Sequence, residues 1–115
     1  MPDSFKCNYG DEYLSVKALE TWGFEPQLDM VVEELSELIF AIQKWKRYRN
    51  DLFCLENIAK EVADVELILM QLHVLMGEIN RKDYTSALFD YREIKRERTH
   101  RRLYVELSAE QEAKQ

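Results

Sequence analysis

Hydrophobic residues recur every three to four positions over four stretches of this chain, a spacing that predicts amphipathic α-helices. The connections between them are short, which favours a helical bundle in which the long second and third helices pack antiparallel. With 3 glycines and 2 prolines in 115 residues, the chain lacks the tight turns that an all-β fold needs. The fold class is therefore predicted as all-α, with helices at about residues 11–22, 26–47, 52–79 and 84–104.

Helix boundaries are marked by a few residues. Asp11 and Asp83 are predicted to cap the first and fourth helices. Gly23 is predicted to end the first helix, and Pro26 fits the first turn of the second. The predicted organisation is one domain with two short ends: a flexible lead at 1–10, the helical domain at 11–106, and a polar tail at 107–115 that frays.

Charge and cysteine content limit the classes of function that this chain can have. The net charge of -6 gives no general case for nucleic-acid binding, although residues 92–102 are locally basic. Cys7 and Cys54 form no CxxC pair, so free thiols in a reducing cytosol are expected rather than a zinc site. Neither a signal-peptide core nor an apolar run of membrane-spanning length is present, so the expected location is the cytoplasm, without membrane contact.

Two pairs of carboxylates at i, i+3 spacing lie on the two long helices: Glu34 with Glu37, and Glu61 with Asp64. Each pair is predicted to flank an apolar stripe, so packing of the stripes would bring the four acids together. The stripe of the second helix is predicted as Leu28, Val31, Val32, Leu35, Leu38, Ile39 and Ile42. That of the third is predicted as Ile58, Val62, Val65, Leu69, Leu72 and Met76.

Four converging carboxylates repel one another unless a cation lies between them. Oxygen-only ligation favours Mg²⁺, Mn²⁺ or Ca²⁺ over zinc. The alternative is a set of solvated acids, which are common on helix flanks. A di-iron site is disfavoured, because the chain has one ExxH motif, ending at His100, where such a site needs two.

The two-part pattern resembles the EExxE…ExxD signature of the MazG-like nucleoside triphosphate pyrophosphohydrolases, in the all-α NTP pyrophosphatase superfamily. Its two parts are Glu33-Glu34-Leu-Ser-Glu37 and, after 23 residues, Glu61-Val-Ala-Asp64. The wider resemblance covers roughly residues 13–104 and includes Trp-Gly-Phe-Glu-Pro-Gln at 22–27.

The resemblance implies hydrolysis of a nucleoside triphosphate between the α and β phosphates, giving a monophosphate and pyrophosphate. It implies that Glu34, Glu37, Glu61 and Asp64 bind Mg²⁺, with Mn²⁺ as the other option, and that one of them orients the attacking water. The helical direction of Glu33 points away from the seam.

The substrate needs further contacts. Lys95, Arg98 and Arg102 share one face of the fourth helix and resemble the phosphate-binding cations of such enzymes; a solvated basic helix end is the alternative. Gln27 is a candidate hydrogen-bond partner for the base, and Trp22 a candidate for stacking against it. Trp45 is an equal candidate for stacking, and Lys44 and Lys60 are weaker candidates for phosphate contact.

A non-catalytic helical interaction protein is the rival function. The third helix supports it, because it carries a second apolar face opposite the core stripe, formed by Ala63, Leu67, Met70 and Val74. The same face predicts a homodimer or homotetramer, which the resembled enzymes also form. Pyrophosphate release from a nucleotide panel distinguishes the two functions.

Overall fold

A computed structural model describes residues 10–115, with the side chain of Asp11 excepted. The fold is all-α: within these residues the chain forms three helices and no strand. The predicted flexible lead lies outside the described residues apart from Gly10, and so does Cys7. The helices are α1 (Asp11–Trp22), α2 (Phe24–Arg47) and α3 (Leu52–Ala113).

Gly23 is the single residue between α1 and α2. Its φ of 89° lies in the region that side-chain-bearing residues avoid, and its N–H donates to the carbonyl of Leu19 at 2.9 Å. The prediction that Gly23 ends the first helix is confirmed. At the other end of α1, Gly10 occupies the cap position and Asp11 is the first helical residue, so the predicted cap was one residue too late.

A side-chain cap starts α3. The carboxylate of Asp51 accepts a hydrogen bond from the N–H of Phe53 at 2.9 Å, and its carbonyl accepts one from Leu55 at 3.2 Å. This satisfies donors that the first turn of a helix leaves open. The predicted break at residues 48–51 is therefore present, with Asp51 fixing where the next helix begins.

Asn80 interrupts α3 with an extended backbone, φ -159° and ψ 90°. Its side-chain oxygen accepts a hydrogen bond from the N–H of Asp83 at 3.0 Å, and its amide donates to the Asp83 carboxylate at 2.7 Å. This is N-cap geometry, with Asn80 bonded to the third residue of a new helical segment. The predicted cap Asp83 is thus inside the helix, and Asn80 is the cap.

The chain divides at this residue into two compact units, Met1–Ile79 and Asn80–Gln115. In the second unit the helix continues to Ala113, so residues 105–113, predicted to lie beyond the fourth helix, are helical. We call residues 81–113 the C-terminal segment. Each unit is described by itself, and the four-helix bundle remains a prediction. Among the described residues, none of the helices has the length and hydrophobicity needed to cross a bilayer.

The core of the first unit joins all three helices. Val31 of α2 packs with Ile68 and Leu75 of α3, each at most 5% exposed. Because Val31 meets Ile68 while Glu34 meets Asp64, residue numbers rise along α2 as they fall along α3, and the helices are antiparallel. Partly buried side chains complete the cluster: Leu19, Phe24, Leu28, Leu72 and Met76.

The buried side of α2 differs from the predicted stripe. Gln27, Val31 and Ala41 are buried, with Glu34 and Leu38 half-buried in the same row. Part of the predicted stripe is instead exposed on a neighbouring arc of the helix. Apolar residues cover more than half the circumference of α2, so periodicity alone could not select the arc that meets α3. The exposed members are Val32, Leu35, Ile39 and Ile42 on α2, and Val62 and Leu69 on α3.

Candidate metal centre

Three predicted carboxylates meet where α2 crosses α3. Glu34 contributes one oxygen from α2, and Glu61 and Asp64 contribute one each from α3, with all three atoms within 4.8 Å of one another. The i, i+3 spacing places Glu61 and Asp64 on the same side of α3, and antiparallel pairing brings Glu34 opposite them. We call these three residues the acidic cluster.

The acidic cluster lies inside the helix seam, whereas the sequence predicted a position on its flank. Glu61 is 6% exposed, and Glu34 and Asp64 are half-buried. The Oε2 atoms of Glu34 and Glu61 are buried and have no hydrogen-bond partner among the described residues. Buried carboxylate oxygens without partners are costly, and a bound cation would lower that cost.

The pKa values of two carboxyls reflect this crowding. Burial raises the pKa of Glu34 above its ordinary value of 4.5, and the charges of Glu37, Asp64 and Glu61 raise it further. Burial also raises the pKa of Glu61, with Glu37 and Asp64 adding to the shift and Lys60 opposing it. Both shifts favour the protonated, uncharged form of these carboxyls, because burial and neighbouring negative charges disfavour the ionised form.

Glu37 and Lys60 surround the acidic cluster. Glu37 is exposed, yet it is close enough to Glu34 and Glu61 to raise the pKa of both. The Lys60 ammonium lies 4.0 Å from a Glu61 oxygen, but its side chain is 73% exposed. A solvated lysine at this distance compensates one carboxylate weakly. Most of the negative charge at the site is thus uncompensated by the described residues.

A hard divalent cation fits this donor set. The available ligands are carboxylate oxygens, which suit Mg²⁺, Mn²⁺ and Ca²⁺. Opposed oxygens around Mg²⁺ are about 4 Å apart, so small side-chain rotations would bring all three residues of the acidic cluster to one ion. The cluster could hold a metal, and its geometry does not select Mg²⁺ among the three.

A groove of about 450 Å³ opens beside the acidic cluster. Neither Phe40 nor Glu33 is a predicted site residue, and the helical direction of Glu33 points away from the seam. Asn57 lies in the same row of α3 as Glu61 and Asp64, and this position was the indication in the sequence that it belongs near the site. We call this surface the acidic groove; its lining residues are Glu33, Ser36, Glu37, Phe40, Asn57 and Glu61.

The predicted base contacts are not gathered at this groove. Gln27 is 1% exposed, and its amide nitrogen donates only to the sulfur of Met30, at 3.6 Å. Trp22 is exposed at the end of α1. Trp45 is half-buried, and the Arg49 guanidinium lies 5.5 Å from its ring centroid. Burial of Gln27 and the cation over Trp45 both reduce access for a nucleobase.

The predicted phosphate contacts are on the C-terminal segment. Lys95, Arg98 and Arg102 are all exposed there, and their spacing places them on one helix face as the sequence indicated. They belong to the unit that begins at Asn80, whereas the acidic cluster belongs to the other unit. Their contact with phosphate remains a prediction.

The chain matches no protein-family model, and no curated protein or solved structure gives a match either. The function of the site must therefore be argued from its own residues.

Proposed function

We propose that this protein is a metal-dependent, MazG-like nucleoside triphosphate pyrophosphohydrolase, which cleaves its substrate between the α and β phosphates. The observation that carries the proposal is that one oxygen each of Glu34, Glu61 and Asp64 lies within 4.8 Å of the others. The Oε2 atoms of Glu34 and Glu61 are also buried without a hydrogen-bond partner among the described residues. A divalent cation would neutralise carboxylates in this state, and Mg²⁺ held by carboxylates typically binds phosphates as its remaining ligands.

The EExxE…ExxD pattern supports the same conclusion independently. The four acids that follow Glu33 in the pattern are the three members of the acidic cluster and Glu37. Solvated acids on helix flanks, the alternative explanation of the pattern, would not leave Glu61 buried at 6% exposure. Binding of a cation gives a physical reason for an acid to be buried between two helices.

The residues divide into two roles in this proposal. Glu34, Glu61 and Asp64 hold the metal, which when bound neutralises phosphate charge and lowers the pKa of a coordinated water. Glu37 is exposed at the edge of the acidic cluster and faces the acidic groove. It accepts a hydrogen bond from the attacking water, orients it, and takes its proton. The water oxygen bonds to one of the two phosphorus atoms while the bond from that atom to the bridging oxygen breaks, releasing monophosphate and pyrophosphate.

The experiment is a panel of ribo- and deoxyribonucleoside triphosphates incubated with Mg²⁺ or Mn²⁺, followed by product identification. Monophosphate and pyrophosphate in equal amounts are expected. Asp64→Asn is expected to lower the rate about 100-fold or more, because a lost ligand removes several kcal/mol of transition-state stabilisation. Glu37→Gln is expected to lower kcat more than it weakens Mn²⁺ binding, because Glu37 acts on water.

Glu78→Gln is the matched control, since Glu78 is exposed on the same helix and outside the acidic cluster. It is expected to retain wild-type activity. Release of inorganic phosphate in place of pyrophosphate would contradict the proposed reaction. A folded protein that shows no metal response and no hydrolysis would favour the rival function, a helical interaction protein.

A further inference from the structure

The acidic groove is continuous with the acidic cluster, because Glu61 belongs to both and Glu37 lies between them. Its volume of about 450 Å³ falls within the range of small-molecule sites. The buried Glu61, with its unpartnered Oε2, forms the inner wall. A ligand bound at the acidic cluster would therefore extend naturally into this groove.

The charge of the groove decides which part of a nucleotide fits there. Glu33, Glu37 and Glu61 line it, and no lysine or arginine does among the described residues. Such walls repel a phosphate, but they accept hydrogen bonds from hydroxyl and N–H donors. A neutral group that carries such donors, such as a sugar with its base, suits these walls, while the phosphates remain at the metal.

Phe40 and Asn57 provide contacts of the kind that a nucleobase uses. The Phe40 side chain is 63% exposed, so its ring is largely uncovered. Asn57 is half-buried and lines the groove from α3. An amide presents one donor and one acceptor side by side, which matches the edge of a base, and an exposed ring offers a stacking surface.

Building on the proposed function, we propose that the acidic groove is the nucleoside subsite of this enzyme. The base stacks on the ring of Phe40, the Asn57 amide bonds to its edge, and Glu33 accepts a hydrogen bond from a sugar hydroxyl. Phe40 therefore supplies affinity that is largely independent of base identity. Asn57 supplies discrimination, because the pairing of donor and acceptor differs among the bases.

Equilibrium binding by calorimetry tests this subsite without requiring turnover. The probes are α,β-methylene nucleoside triphosphates, which resist cleavage at the proposed bond, and inorganic tripolyphosphate, each with Mn²⁺. Phe40→Ala is expected to weaken binding of the best nucleotide about ten-fold, a loss typical of a removed stacking contact. Tripolyphosphate affinity is expected to stay unchanged, because it has no nucleoside to place in the groove.

Three further variants sharpen the test. Phe40→Trp is expected to retain nucleotide affinity, since it keeps an aromatic face. Asn57→Ala is expected to change the ratio of affinities among the four bases. Phe89→Ala is the matched control, because Phe89 is 61% exposed but lies outside the groove, and it is expected to bind both probes as wild type does.

The outcomes separate this subsite from the proposed reaction. Nucleotides that bind wild type no more tightly than tripolyphosphate would overturn the subsite, even if triphosphates are hydrolysed. An equal loss for both probes in Phe40→Ala would also overturn it. Selective nucleotide binding through Phe40, with no hydrolysis of the natural nucleotides, would overturn the proposed reaction and leave the subsite standing.

Discussion

At the scale of single residues, the acidic cluster is a place where function opposes stability. Burial and mutual repulsion disfavour the ionised forms of Glu34 and Glu61, and both have buried oxygens without partners among the described residues. An apolar or amide side chain in either position would relieve that repulsion. A divalent cation bound between the carboxylates would offset their repulsion.

The pH dependence of stability follows from the raised pKa values of Glu34 and Glu61. The folded protein keeps these protons to higher pH than the unfolded chain, whose carboxyls titrate near the ordinary value of 4.5. The folded state thus binds more protons in this window, and the free energy of unfolding falls as pH rises through the raised values. Through these two groups, metal-free protein is expected to melt at a higher temperature at about pH 5 than at about pH 7.5.

Thermal unfolding with EDTA and with excess Mg²⁺, at both pH values, measures this effect. The metal is expected to raise the melting temperature more at the higher pH, where the carboxylates are ionised and free to bind it. Glu61→Gln is expected to reduce both the pH dependence and the response to Mg²⁺, whereas Glu78→Gln should change neither. A response to Mg²⁺ that is equal at both pH values would contradict this account of the acidic cluster.

At the scale of elements, backbone chemistry at three residues determines where the helices begin and end. Gly23 supplies a positive φ, Asp51 caps α3, and Asn80 caps the C-terminal segment. The sequence indicated Gly23 and the break before α3 because such residues have strong local preferences. It missed Asn80 because Asp83, three residues later, is an equally good cap by composition. The choice between them depends on which residue leaves the helical conformation.

Gly23→Ala is expected to destabilise the first unit by about 1–2 kcal/mol, because an alanine pays a steric penalty at positive φ. The added Cβ would meet little else, since its nearest neighbour is a Pro26 atom at 4.0 Å. Gly10→Ala is the matched control: its φ is -72°, and nothing lies within 4 Å of the added Cβ. Chemical denaturation compares the two, and equal effects would show that the backbone at Gly23 is not the cause.

At the scale of the whole molecule, α2 and the first-unit part of α3 carry apolar side chains that the other helices of that unit do not cover. Val32 and Ile39 on α2 are 64% and 61% exposed. We define the apolar face as Val32, Leu35, Ile39, Ile42, Leu55, Val62 and Leu69. Helical geometry places its two parts on the same side of the antiparallel pair, opposite the acidic groove. A surface of this kind supports the prediction of a homodimer or homotetramer.

Ile39→Glu is expected to dissociate such an assembly, because a carboxylate would have to be buried between subunits. Light scattering coupled to gel filtration measures the mass, and wild type is expected to exceed the 13.8 kDa of one chain. Thr21→Glu, at an exposed position on α1, is the control and should leave the mass unchanged. A wild-type mass of one chain at micromolar concentration would contradict the prediction.

The sequence by itself determined the helical class, most helix boundaries in the first unit, and the identity of the acids that converge. These depend on short-range preferences and on a spacing that repeats along each helix. Tertiary structure decided which arc of α2 faces α3, and thereby that Glu61 is buried in the seam while Val32 and Ile39 are exposed. It also placed Phe40 of α2 and Asn57 of α3 in the lining of the acidic groove. Contacts between residues distant in sequence depend on the rotation of each helix about its axis, which the pattern of a broadly apolar helix does not specify.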